Sequence, residues 1–212
     1  MIRPLRAIPL LALSALAAPA AAQQGAAVSV TARVTSLTMR SVAPAGRASV
    51  NGAILGGEAR LAVNFLTLRV AYAQGSLARG SDPSRDLYVE GSGILDISPA
   101  PGLEIGIGPY VRSRVVDDVR QRLVVWRLRG RYEGSVGTPA LRAWLEATAG
   151  KPDYSGDGFG TWWGGSAGLV FRPNGGVLGF GASYAIDEAR ANRGARRETV
   201  EGLTVSVSAY LR

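Results

Sequence analysis

Apolar and polar residues alternate at every second position through most of the chain, and this pattern limits the possible folds more than any other feature. A period of two places successive side chains on opposite faces of a β-strand. In one segment Leu103, Ile105 and Ile107 share a face, while Glu104 and Arg112 share the other. The pattern predicts an all-β fold with strands at 28–38, 47–55, 58–73, 86–97, 103–115, 122–136, 141–148, 162–172, 177–187 and 201–212.

The strand count depends on the residues near the start of this series. If Arg47–Leu55 is a strand the total is ten, and if Val28–Leu55 forms one strand and an irregular return the total is eight. We favour ten, an even number that leaves both ends of the chain on the same side. The segment Glu58–Ala73 changes phase partway, and a β-bulge near Phe65–Thr67 would explain that change, because one extra residue moves later side chains to the other face.

The connections between these strands alternate in predicted length. Tight turns are predicted at Gly56-Gly57, Ser98–Pro101, Gly137–Pro139 and Arg172–Gly175. Longer polar loops are predicted at Gln74–Ser84, Lys151–Gly160 and Glu188–Thr199, with shorter ones at 41–46 and 117–120. Short turns at one end and long loops at the other are typical of outer-membrane β-barrels.

The first residues have the three-part layout of a secretory signal peptide. Arg3 and Arg6 form a basic start, Ala7–Ala18 is apolar, and Pro19–Ala22 is a region of small residues. We expect cleavage after Ala22, which makes residues 1–22 a signal peptide and 23–212 a single barrel domain. Beyond this segment the sequence has no apolar run of the roughly 20 residues that a membrane-spanning helix needs.

Either the apolar or the polar face of each strand could point into the barrel. A soluble barrel would put its apolar face inside, whereas a membrane barrel puts it outside. The alternating segments are long enough to cross a bilayer, and their polar faces combine glycines and hydroxyls with large charges, which suits a crowded lumen. Aromatic residues are expected to form a girdle at the membrane interface: Trp126, Trp163, Phe171, Phe180 and Tyr184.

With the apolar faces outside, the ionised side chains must lie within the lumen and be paired there. The candidates for these ion pairs are Asp86, Glu90, Glu104, Arg112, Arg114, Arg127, Arg129, Arg131, Glu133, Arg142 and Glu146. Folding the chain at Gly137 predicts that Glu133 lies opposite Arg142, and that Arg129 lies opposite Glu146. Folding it at Ser98–Pro101 brings Asp86 near Arg112 or Arg114.

The alternation and loop layout of Val28–Arg212 resemble those of the small outer-membrane barrels of the OmpA/OmpX type. The resemblance implies a closed antiparallel up-and-down transmembrane β-barrel in the bacterial outer membrane, in contact with its lipid. The final strand also resembles the C-terminal signal read by the barrel-insertion machinery, which makes that machinery an expected partner of Gly202–Arg212. Here the chain ends on Arg212, with the aromatic Tyr210 two residues earlier.

The sequence contains no histidine and no cysteine, so histidine-based catalysis, thiol chemistry and thiolate metal sites are excluded. We predict no catalytic residue, cofactor or metal site, because Asp86, Glu90 and Glu104 are better explained as lumen ion pairs. The acidic stretch Asp153–Gly160 lacks the spacing of a calcium-binding EF-hand and is interpreted as a polar loop.

The last long loop carries a basic cluster formed by Arg190, Arg193, Arg196 and Arg197. The arginine fork suits phosphate oxygens, so the phosphates of lipopolysaccharide are an expected partner where that lipid is present. We expect no nucleic-acid partner, because no aromatic residues are interleaved with these arginines and the chain is exported.

Three functional hypotheses remain. The leading one is a non-enzymatic structural or surface-interaction barrel with a charged and largely plugged lumen, because a lumen of ten strands is narrow enough for side chains to fill. The first alternative is a narrow anion-favouring pore lined by Arg112, Arg114, Arg127, Arg129 and Arg131. The second alternative is a secreted soluble barrel that carries an apolar ligand.

Overall fold

A computed structural model describes residues 26–44, 46–80, 82–116, 119–155, 159–173, 176–191 and 196–211. The predicted signal peptide at 1–22 lies outside the described residues. The described residues form ten strands: β1 Ala27–Ala43, β2 Gly46–Val63, β3 Leu66–Arg79, β4 Asp82–Ala100, β5 Leu103–Val116, β6 Val119–Val136, β7 Thr138–Ser155, β8 Phe159–Phe171, β9 Leu178–Ala191 and β10 Arg197–Leu211.

The strands form one closed antiparallel barrel in which each strand pairs with its neighbours in sequence and β1 pairs with β10. This confirms the predicted all-β up-and-down architecture and the count of ten strands. Closure gives every strand two hydrogen-bonding neighbours, so no backbone edge is left unpaired, as a hydrocarbon environment requires. Among the described residues, no helix is long and apolar enough to cross a membrane.

The boundary between β2 and β3 differs from the prediction. The predicted turn at Gly56-Gly57 is wrong, since β2 continues through both glycines to Val63. The chain reverses instead at Asn64-Phe65, where Asn64 has a φ of 54°, a left-handed conformation that asparagine tolerates better than most residues. The change of phase near Phe65–Thr67 therefore marks a hairpin and not a β-bulge.

The predicted long loops are also largely wrong, because strands extend into all three of them. β3 continues to Arg79 and β4 begins at Asp82, β7 continues to Ser155, and β9 continues to Ala191. The turn predicted at Gly137 lies where expected, and Gly137 has a φ of 71° between β6 and β7. The turn predicted at Ser98–Pro101 is displaced to 101–102, because β4 continues to Ala100 and Gly102 has a φ of 77°. Hairpin pairing thus continues where the polar composition had indicated irregular loops.

The barrel has two different ends. At the terminus end, which contains the start of β1, the end of β10 and the turns at 64–65, 101–102 and 137, apolar outward residues continue up to the turns. At the opposite end, called the loop end, several strands continue beyond the last apolar outward residue. Because outer-membrane barrels have short periplasmic turns and longer extracellular segments, the loop end is assigned to the cell exterior.

An apolar belt surrounds the barrel. Its outward residues include Leu55, Leu68, Ile107, Leu128 and Leu145, all exposed. On the terminus side of Glu188 and Glu201, the outward positions of the ten strands carry no charged side chain among the described residues. Apart from Glu188, the charged groups with low exposure lie on the inner face, so the predicted inversion of a membrane barrel is confirmed.

The two faces exchange character towards the loop end. On β1 the inward residues change from Thr31 and Arg33 to the buried Leu37 and Met39, while an outward position becomes the exposed Arg40. Beyond the bilayer the outer wall meets water and polar headgroups, so apolar side chains are stable only inside. The inward apolar residues form an apolar cap, consisting of Leu37, Met39, Val50, Ile54, Ala73, Leu77, Tyr88, Tyr110, Leu123, Val125, Phe159, Trp162, Ala189 and Val200.

Candidate functional site

The centre of the lumen is an ion network around Asp96, which is 0 % exposed. Arg129 Nη1 donates to both carboxylate oxygens of Asp96 at 2.7 Å, and Arg69 Nε donates to Oδ2 at 3.0 Å. Arg129 is itself only 2 % exposed and also donates from Nε to Glu146 at 2.7 Å. A carboxylate can be kept this far from water because two arginines supply its hydrogen bonds and its countercharge.

Two further strands join this network through two glutamates. Glu104 on β5 accepts from Arg60 on β2 at 2.5 Å and is also bonded by Arg69 on β3. Glu58 on β2 lies 3.3 Å from Arg69. The arginine side chains therefore connect strands that are not neighbours in the barrel wall and fill the lumen between them.

The charge pairs predicted for β6 and β7 form, but through a different register. Arg129 lies opposite Thr148 and Glu133 opposite Trp144, because the pairing is offset by an irregularity between Ser135 and Val136. Arg129 reaches Glu146 diagonally at 2.7 Å, and Arg142 Nε reaches Glu133 diagonally at 3.1 Å. Diagonal neighbours on a sheet are within reach of such long side chains.

A second set of charges lies at the height of the apolar cap. Arg112 on β5 bonds Glu198 on β10, and since these strands are opposite each other in the ring, this ion pair crosses the lumen. Arg114 Nε lies 3.4 Å from Asp86. Arg114 is therefore the one of the two expected arginines that lies near this carboxylate.

Glu90 connects the cap to the network below it. Its carboxylate accepts from Tyr88 at 2.9 Å and Tyr110 at 3.1 Å, and it lies 3.3 Å from Arg33. The guanidinium of Arg127 lies 5.2 Å from the centre of the Tyr110 ring. Polar groups thus begin directly beneath the aromatic residues of the cap.

Between the network and the opposite wall lies a cavity of about 520 Å³. It is lined by hydroxyls of β1 and β10, such as Thr31 and Ser206, and by arginines including Arg127 and Arg131. Its lining extends from Ala27 and Leu211 at the terminus end to Tyr110 at the lower side of the cap. The lumen therefore contains a space large enough for water on the terminus side of the cap.

All eleven predicted lumen residues occupy inward positions of their strands. The sequence prediction did not include Arg33, Glu58, Arg60, Arg69, Asp96 and Glu198, which also belong to these ion pairs. Asp96 lies between the apolar residues Leu95 and Ile97, so the alternation of period two could have identified it as an inward residue. Arg69 lies between the outward Leu68 and Val70, so the same alternation could have identified it.

The predicted girdle aromatics all face outward and are exposed. Trp163 and Phe171 are eight positions apart on β8, which corresponds to about 26 Å along a strand and about 20 Å across a tilted barrel wall. Phe180 pairs with Phe171 at the terminus end. Tyr184 corrects the prediction, because the register places it midway between these two levels, and its hydroxyl group hydrogen-bonds to Glu201.

The predicted basic loop is instead part of the barrel wall. Arg190 on β9 pairs directly with Arg197 on β10, and both bond the buried Glu188. Arg196 lies 5.4 Å from the centre of the Phe159 ring, and Arg193 lies outside the described residues. Because β9 and β10 extend into the predicted loop, Arg190 and Arg197 become neighbours on the outward face of the barrel.

The chemistry available in the lumen is that of arginine and carboxylate groups. Asp86, Glu90 and Glu104 each contact an arginine, and Glu90 also accepts from two tyrosines. Within the described part of the chain, no group of three or more acidic side chains is placed to hold a metal ion.

The outward apolar belt and the inward charges determine the class of protein. The chain is a β-barrel of the outer-membrane type. Its fold agrees with the bacterial outer-membrane localisation that the sequence predicts.

Sequence comparison identifies no relative, since no family model and no curated protein matches the chain. Neisserial surface protein A is 14 % identical over 86 % of this chain and 97 % of its own, with a TM-score of 0.39. The outer-membrane protease OmpT from Escherichia coli is 9 % identical over 87 % and 96 %, with a TM-score of 0.48. The translocator domain of the autotransporter NalP from Neisseria meningitidis is 11 % identical over 94 % and 95 %, with a TM-score of 0.40.

Proposed function

We propose that this outer-membrane barrel has a non-enzymatic structural or surface-interaction role and that its lumen is closed to solutes. The apolar cap is the observation that supports closure. Leu77, Tyr88 and Val125 are fully buried within it, and Ile54 and Trp162 nearly so. A dry apolar constriction excludes hydrated ions because their hydration shells find no replacement there.

The ion pairs strengthen this interpretation. The Arg112–Glu198 pair crosses the lumen at the height of the cap, and the network around Asp96 joins several strands further down. A solute would have to displace buried, mutually bonded charges, and breaking one such pair costs several kcal/mol. A barrel closed in this way is suited to a rigid support in the membrane rather than to a passage.

Single-channel recording of the purified full-length protein in planar bilayers tests closure. We expect no stable openings, and frequent large openings would contradict the proposal. The variant Leu77→Ala/Tyr88→Ala should introduce openings, because it truncates two of the largest fully buried side chains of the cap. Leu87→Ala, on the exposed outer face of β4, is the matched control and should remain silent. Silence of the cap variant would show that the cap does not close the lumen.

A narrow anion-favouring pore is the second candidate, and the cavity of about 520 Å³ is the observation that favours it. Of its predicted lining residues, Arg112 and Arg129 are buried in ion pairs, whereas Arg127 lines open space. If the protein conducts, Arg127→Gln should lower the permeability ratio of chloride to potassium. An unchanged ratio in a conducting channel would exclude this candidate. The soluble carrier is not retained, because the apolar belt faces outward.

The last strand supports the proposed recognition by the barrel-insertion machinery. On β10, Leu203, Val205, Val207 and Leu211 all face outward and are exposed, giving an unbroken apolar edge. We expect Val207→Asp to slow assembly into vesicles that contain the purified machinery. Thr199→Asp, at an outward position beyond the belt on the same strand, is the control and should assemble at the normal rate.

A further inference from the structure

Glu188 on β9 is an unusual residue on the outer wall near the loop end. It occupies an outward position yet is only 2 % exposed, because Arg190 and Arg197 cover it. The two arginine side chains are 55 % and 54 % exposed. Arg190 Nε bonds one carboxylate oxygen and Arg197 Nη2 bonds the other, and we call these three residues the arginine clamp.

The clamp presents positive charge outward. Two guanidinium groups and one carboxylate give it a net charge of +1, and the carboxylate lies underneath. Each guanidinium has five N–H donors, and each uses one nitrogen on Glu188. The remaining donors are available to a second acceptor, and paired guanidinium groups suit phosphate oxygens especially well. The buried carboxylate holds both arginines in place, which lowers the entropy lost when they bind an anion.

The position of the clamp relative to the apolar belt identifies the source of such an anion. Glu188 pairs across the sheet with the exposed Trp163, and Ile186 is the last apolar outward residue before it on β9. Arg190 lies two residues beyond Glu188 on the same strand, a separation of about 7 Å. The clamp therefore lies at the outer membrane–water interface, where lipid headgroups are found.

The surrounding wall has the same sign of charge. Arg40 on β1 places a further guanidinium group near Arg197, where its charge is balanced by Glu201 at 2.6 Å. Further exposed basic residues face outward near this end of the barrel, namely Arg47, Arg120, Arg122 and Lys151. Because the described outward face of the belt carries no charge, this basic surface is confined to one end and would meet only the outer leaflet.

We propose that the arginine clamp binds the phosphate monoester of a glycolipid headgroup in the outer leaflet. This inference rests on the surface-interaction role proposed above and names the partner for that role. It does not depend on whether the lumen conducts. Lipid binding and conductance are separate measurements, so failure of one leaves the other to be judged independently.

Lipid titration followed by native mass spectrometry of the full-length protein tests the clamp. The probes are diphosphorylated lipid A and the same lipid after phosphatase treatment. Arg190→Gln/Arg197→Gln should raise the Kd for the phosphorylated lipid at least tenfold. Arg120→Gln/Arg122→Gln removes the same charge from exposed outward positions of β6 and should change Kd less than twofold. Equal binding of both probes, or equal losses in both variants, would overturn the proposal.

Glu188→Gln separates an organised clamp from general electrostatic attraction. The substitution raises the net positive charge, so attraction alone predicts tighter binding of the phosphorylated lipid. The clamp predicts several-fold weaker binding, because a neutral amide cannot hold both arginines through two acceptor oxygens. Tighter binding would overturn the proposal. Inorganic phosphate is the competing probe, and displacement of the lipid by an equal concentration of phosphate would also overturn the assignment to a lipid.

Discussion

The ion network of the lumen makes a quantitative prediction about Asp96. Replacing it with Asn removes the carboxylate that accepts from Arg129 at 2.7 Å and from Arg69 at 3.0 Å. Both arginines remain buried, and Arg129 keeps only Glu146 and the more distant Glu104, at 3.4 Å, as acidic neighbours. Leaving a buried charge without its partner costs about 3–5 kcal/mol. We expect Asp96→Asn to lower the free energy of unfolding by that amount.

The Arg40–Glu201 pair is the matched control, because its N–O distance of 2.6 Å is similar but its arginine is more than half exposed. Glu201→Gln should cost about 0–1 kcal/mol, as solvent-exposed pairs contribute little. Urea unfolding in lipid vesicles, followed by tryptophan fluorescence, measures both variants under the same conditions. Equal losses of stability in Asp96→Asn and Glu201→Gln would refute the argument that burial sets the strength of these pairs.

Coupling between Asp96 and Arg129 gives a second readout from the same assay. If the loss in Asp96→Asn comes from an uncompensated arginine, then Arg129→Gln should cost less in a protein that already carries Asp96→Asn than in the wild-type protein. A double-mutant cycle isolates this difference, and contacting residues typically show coupling of about 0.5–3 kcal/mol. Additive losses would show that the two side chains do not stabilise each other.

Three further predictions concern the wall and turns of the barrel. Leu203→Arg, at an outward position near the middle of the belt, should lower the unfolding free energy by about 2–4 kcal/mol. The control Thr199→Arg, beyond the belt, should lower it by less than about 1 kcal/mol. Equal losses in the two variants would contradict the assigned membrane position. Gly108→Ala should destabilise by about 1–3 kcal/mol, because its Cβ would overlap the Gly93 carbonyl oxygen, while Gly130→Ala meets open space and should change stability by less than about 0.5 kcal/mol. Asn64→Val should destabilise the β2–β3 hairpin at φ 54° and Asn64→Gly should not, as judged by the temperature at which the folded band disappears on a gel.

Much of the fold could be predicted because a strand carries its own signal. The alternation in segments such as Leu103–Val115 identifies both the strand and its two faces, without knowledge of the partner strand. The boundary at Asn64-Phe65 could not be found in this way. Both a bulge and a short hairpin shift the phase of the alternation, and only pairing with neighbouring strands separates them.

The candidate sites were predicted less completely than the fold. Arg129 and Glu146 were correctly expected to meet, yet their strands are offset from the simple register, and contact depends on the diagonal reach of both side chains. Arg112 and Glu198 are 86 positions apart in the sequence, and their ion pair joins opposite walls of the barrel. No local sequence pattern predicts which residues meet across the lumen, because that depends on the number of strands and on their stagger around the closed ring.

By itself, the sequence determined that this chain forms a barrel with apolar residues outside and charges inside, since a period of two and the cost of burying charge act within each strand. Only the tertiary structure decided where that order is reversed, which residues meet in the apolar cap, and how Glu188 comes to lie beneath two arginines. Those features arise from contacts between strands far apart in sequence, and the position of each strand along its neighbour is fixed by the closed sheet as a whole.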